Sequence, residues 1–166
     1  MREIKFRGKR ADNGEWEYGS YLLCEKDKPY IGTPWLVGSV PTKWEVDPAT
    51  VGQFTGLYDS TKWEQLSEQE KQEFYNKHCS EDGRTVKYQN VDDVKRLWKG
   101  REIYEGDIVE VTDTPYYAKR GKVVFNGKEY GLLDADDGFC ADFAWEDREH
   151  YFKVIGNIFE HPELLK

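Results

Sequence analysis

Apolar alternation in this chain comes in short runs, and residues that favour tight turns separate them. Ile4 and Phe6 alternate with Lys5 and Arg7, and Asp12-Asn13-Gly14 follows. Asn and Gly tolerate positive φ and suit a hairpin turn. Residues 3–10 and 15–23 are therefore predicted to pair as an opening β-hairpin. Trp16, Tyr18, Ser20 and Leu22 then share one face of the return strand. The last third repeats the pattern over 105–112, 120–125, 128–133, 139–145 and 151–159, with Asn126-Gly127 and Gly156-Asn157 as breaks. A period of two over such short stretches dictates half-buried strands.

The middle departs from this rule. Residues 29–32 suggest a short strand. Residues 32–48 carry Pro34, Pro41 and Pro48, which break regular structure, so they are expected to be a loop pinned by Trp35, Leu36, Val37 and Trp44. Residues 51–57 are expected to form another strand or an extended connector. Ser67-Glu68-Gln69-Glu70 matches a capping box and predicts a helix to about His78, burying Phe74 and His78. A second helix is expected over 92–99, ended by Gly100. The chain is thus predicted to be mainly β, α+β overall. The expected form is a small curled-sheet or SH3-like pseudo-barrel with an N-terminal β-hairpin extension and a helical insertion. The expected division is 1–59, 60–99 and 100–166, integrated as one domain.

Charge narrows the functional classes. The net charge of −8 repels phosphate over most of the surface. Two local biases stand out. Arg2, Lys5, Arg7, Lys9 and Arg10 make the first ten residues basic, and residues 134–149 are rich in Asp and Glu. The two are expected to be solvated faces, or a basic end that meets an acidic patch within one chain or between two. Cys24, Cys79 and Cys140 are too far apart for a disulfide framework or zinc site and fit a reducing cytoplasm. The charged N-terminus predicts no signal peptide, and no apolar run approaches the ~20 residues of a membrane span.

Several blocks fall into one order: REIKFRGKR at 2–10, GEW and YG within 14–19, and VDPATVGQFTGLYD at 46–59. GREIYEGDIVEV at 100–111, RGKVVF at 120–125 and FKVIGNIFEHPELL at 152–165 follow. Together they resemble the YopX family of phage and prophage proteins. The resemblance implies a phage-encoded, mainly β pseudo-barrel with an N-terminal α+β extension, and it supplies no catalytic residue. Residues 60–99 stand where the family has a short turn. Gly56, Gly106 and Gly156 are expected to serve special backbone conformations or close approaches, and Asp107 to cap a turn.

Catalytic signatures are missing from the sequence. It holds no phosphate-binding glycine loop and no nucleophile elbow. His78, His150 and His161 are dispersed. Asp134-Ala135-Asp136-Asp137-Gly138 superficially resembles a calcium loop but lacks its spacing, so a hairpin turn is expected. No enzyme activity, cofactor or metal is expected. The surplus of Trp and Tyr favours a protein-contact module that self-associates or engages a host or phage protein. The alternative is a nucleic-acid-linked role. It would use Arg7, Lys9, Arg10, Trp16 and Tyr18 for direct binding, or Asp136, Asp137 and Asp142 for DNA mimicry.

Overall fold

The computed structural model describes residues 4–24, 28–32, 42–78, 91–111, 120–142 and 152–166. Expectations for Arg2, Trp35, Leu36, Val37, Cys79, the run beyond Asp142 and the Asp142 side chain fall outside these residues.

Two antiparallel sheets carry the fold. The first has six strands: β1 (Phe6–Lys9), β2 (Trp16–Cys24), β3 (Lys28–Gly32), β4 (Lys43–Glu45), β5 (Gly52–Tyr58) and β6 (Glu102–Tyr104). Their order is β4-β3-β2-β1-β5-β6. The second has five: β7 (Asp107–Val111), β8 (Arg120–Phe125), β9 (Tyr130–Leu133), β10 (Phe139–Asp142) and β11 (Phe152–Asn157). Their order is β10-β9-β8-β7-β11. The mainly β expectation holds, and the sheets stay open rather than closing into a barrel.

The opening hairpin forms as its turn residues require. Gly14 takes φ 74°, and Lys9 pairs with Trp16 across the turn. Residues 32–48 are not wholly a loop. Lys43–Glu45 pair with β3, and Val46 bridges back to Arg10, so the first four strands curl. Ile31 and Val46 are fully buried there. Prolines on both sides of Lys43–Glu45 hid a strand that is only three residues long.

Helix α1 (Glu68–His78) starts where the capping box places it. Ser67 N–H donates to Glu70 Oε2 at 2.8 Å, and Glu70 N–H donates back to Ser67 Oγ at 3.2 Å. Helix α2 (Val91–Lys95) is shorter than expected and runs into turns before Gly100. Trp63, Leu66 and Val94 form the core of this helical segment, with Phe74, Tyr75 and Trp98 packed on it. His78 is half-buried, with its ring stacked on Phe74.

The larger core lies under the second sheet. Ile103, Val109, Val111, Val123, Tyr130, Leu132 and Phe152 cluster there, with Leu57 and Val154 at the margin. Buried Asp59 ties three segments together. Its carboxylate accepts from the backbone N–H of Thr61, Arg101 and Val154 and from the Thr61 hydroxyl. Four donors satisfy a carboxylate that burial would otherwise penalise.

Candidate functional site

Strand alternation puts Lys5, Arg7 and Lys9 on one face of the opening hairpin. That face turns towards the second half of the chain, and each cation meets a carboxylate there. Lys5 pairs with Glu102, Arg7 with Asp107 at 2.5 Å, and Lys9 with Glu160 at 3.0 Å. Each cation also lies against an aromatic ring. Lys5 sits near Phe54 and Tyr104, Arg7 near Trp16 and Tyr104, and Lys9 near Trp16. Such contacts contribute about 0.5–2 kcal/mol each, more where water is excluded. Arg10 points elsewhere, bonds Asp12 and lies 3.6 Å from the Trp44 ring centroid.

The central pair is built by the Gly106-Asp107 step. Gly106 takes φ 82°, which reverses the chain between β6 and β7. The Asp107 carboxylate accepts the Tyr104 N–H at 2.8 Å, so the side chain closes the turn as the sequence suggested. Its other oxygen faces Arg7. Asp107 is 1% exposed and Arg7 7%. Burial pushes the Asp107 carboxyl up to about 6, although Arg7 and the Tyr104 N–H pull the other way. Arg7 also donates to the Glu105 carbonyl, and its buried Nε has no hydrogen-bond partner among the described residues.

The flanks differ in polarity. Burial, the Glu102 charge and the hydrogen bond to Glu102 all push the Tyr104 phenol far up. Burial also works against the Glu160 carboxylate. Bonds from Asn157, Lys9 and the Trp16 indole outweigh it and hold Glu160 at about 2. Trp16 packs on Phe159, and Tyr18 meets the edge of Tyr104.

The residues singled out from sequence do not make one surface. Arg7 is inside, Lys9 and Trp16 are half-buried in the seam, and Tyr18 is 46% exposed at its rim. Lys5, Arg7 and Lys9 do meet acids within the chain, but these are Glu102, Asp107 and Glu160 and not members of the 134–149 segment, of which residues 143–149 lie outside the described residues. The 134–138 segment is a hairpin turn: Asp134 Oδ1 accepts from the N–H groups of Asp136 and Gly138. Asp137 pairs with Lys122, and Asp136 is exposed. Among the described residues, no three His, Cys, Asp or Glu side chains are arranged to hold a metal.

The opposite face of the hairpin was not anticipated. The pairing of Phe6 with Gly19 puts Ile4, Phe6, Tyr21 and Leu23 on one side. Phe6 and Tyr21 rings lie 5.4 Å apart. Ile4 is 70%, Leu23 63% and Tyr21 37% exposed. The sequence signal was the alternation itself, which set Ile4 and Phe6 opposite Lys5 and Arg7 but did not show Tyr21 and Leu23 of the return strand joining them.

An open two-sheet β protein, with a charged seam between its opening hairpin and its C-terminal half, is the class these observations define. The family model described as YopX protein matches residues 63–166, more than half of the chain, and the chain belongs to the YopX family. Residues before Trp63 lie outside that match. Among solved structures, the crystal structure of protein EF1440 from Enterococcus faecalis is similar, at 20% identity over 100% of both chains, with a TM-score of 0.46. No curated protein matches the chain. No helix among the described residues is long and apolar enough to cross a membrane.

Proposed function

We propose that this chain is a non-enzymatic protein-contact module that self-associates through the apolar face of its opening hairpin. The observation that carries the reading is the exposure of Ile4, Tyr21 and Leu23 side by side on one sheet face. Contiguous exposed apolar surface marks contact sites more often than isolated apolar residues do. Aromatic side chains are also enriched at such contacts. The seam weighs against phosphate binding by the same hairpin, because Lys5, Arg7, Lys9 and Arg10 each already hold a carboxylate. Mimicry by the acidic turn draws little support, since Asp134 and Asp137 are engaged locally.

Light scattering across a concentration series tests this. The wild-type chain is expected to gain mass with concentration. Leu23→Lys, which sits on the exposed face, is expected to stay monomeric while keeping its circular dichroism and melting temperature. A wild-type chain that remains monomeric throughout refutes self-association.

A further inference from the structure

The seam along β1 has a construction unlike the rest of the fold. The ladder joining β1 to β5 has two residue pairs, Phe6 with Gln53 and Arg7 with Gly52. The ladder joining β1 to β2 has four. Neither hydrophobic cluster contains a described residue before Leu57. Strands β1–β4 instead have a small interior of their own. Ile31 and Val46 are fully buried, and a Cβ at Gly8 would stand 3.1 Å from each. The Arg10–Val46 bridge curls the four strands around that interior. What crosses the seam, among the described residues, is mostly polar. It includes the three ion pairs, the Phe54 N–H donated to the Lys5 carbonyl at 2.8 Å, the Arg7 bond to the Glu105 carbonyl, the Trp16 indole bond to Glu160, the cations of Lys5 and Arg7 against Phe54 and Tyr104, and the ring contacts of Trp16 and Tyr18.

We propose that strands β1–β4 form a hinged flap, latched onto the C-terminal half by the row Lys5–Glu102, Arg7–Asp107 and Lys9–Glu160, that opens as a unit while the main core stays folded. Cooperative local opening occurs where few apolar contacts join a segment to the core. A latch of charges makes that opening depend on ionic strength and on the sign of each partner. Lys9–Glu160 is the most exposed of the three pairs, so it is the first to yield to salt. Opening uncovers the carboxylates of Glu102 and Asp107 beside Tyr104, and that of Glu160 beside Asn157. This device stands whether or not the exposed apolar face self-associates.

Residue-resolved hydrogen exchange on the full chain tests the latch. The Phe54 amide, bonded to Lys5 across the seam, reports opening. The amides of Val109 and Val123 report the main core. In Lys9→Glu, the Phe54 amide is expected to exchange at least about tenfold faster, with Val109 and Val123 unchanged. The swapped pair Lys9→Glu with Glu160→Lys is expected to restore the wild-type rate. Wild type in about 1 M sodium chloride, where the screening length falls to ~3 Å, gives a second reading that needs no variant. There too, Phe54 should exchange faster and the core should not. The proposal is overturned if Phe54 and the core amides lose protection together, if neither Lys9→Glu nor salt changes Phe54, or if the swapped pair fails to restore it.

Discussion

A guanidinium inside a protein stays charged, so its surroundings must do the accommodating. Arg7 is accommodated by Asp107, the Glu105 carbonyl and two aromatic faces, Trp16 and Tyr104. Removing one member of a buried pair strands the other, which costs about 3–5 kcal/mol in comparable cases. Arg7→Met keeps the bulk against the rings but deletes the charge. It is expected to lower unfolding free energy in denaturant by about 3 kcal/mol. It should also drive the Asp107 carboxyl above its value of about 6, visible in a carboxyl titration by NMR. From sequence, Arg7 resembled a surface cation because alternation tells which residues share a face, not which face is covered. Asp107 was legible as a turn-closing residue, since that role is local. Its partner lies 100 positions away, and no local pattern announces it.

At the scale of elements, local signals were the reliable ones. The Ser67–Glu70 box starts α1 in the right place because both partners lie within one turn of chain. Glu70 also reaches outward, to Arg101 at 2.6 Å, and so fastens the helix to the start of β6. Burial disfavours its charge, but bonds from Ser67 and Arg101 prevail and hold Glu70 at about 2. Ser67→Ala removes a cap and is expected to cost about 1 kcal/mol in chemical denaturation. The Glu70 carboxyl should move upward in the same variant, because one of its donors is gone. Strand β4 was missed for the converse reason. It exists because β3 offers it partners and Val46 finds a buried place beside Ile31, both of which depend on the assembled sheet. The second helix stops early because the Leu97 and Trp98 N–H groups donate to the Val94 and Lys95 carbonyls, three residues back, in tight turns that replace the helical pattern before Gly100.

The whole molecule sums these groups into one dependence on pH. Asp107 is raised from 3.8 to about 6 on folding, so the folded chain binds its proton more tightly than the unfolded chain. Its contribution to stability is complete below pH 3.8 and is lost as pH rises through 6. Glu70 and Glu160 are lowered from 4.5 to about 2, so their contribution is complete above 4.5 and is lost as pH falls towards 2. Stability is therefore expected to peak near about pH 5 and to decline on both sides, as measured by melting temperature across buffers. Asp107→Asn should flatten the neutral limb and leave the acid limb in place. The mainly β class was legible from periodicity, and the family from ordered blocks. The seam was not, because it joins the first strand to three segments from the far half of the sequence. Its two-residue spacing carries a genetic consequence. Losing a single codon within that strand would hand Lys5 to the side of Ile31 and Val46 and offer apolar groups to the waiting acids. Amino-acid exchanges there change one side chain at a time, whereas a frame-preserving deletion inverts every position on one side of the gap at once.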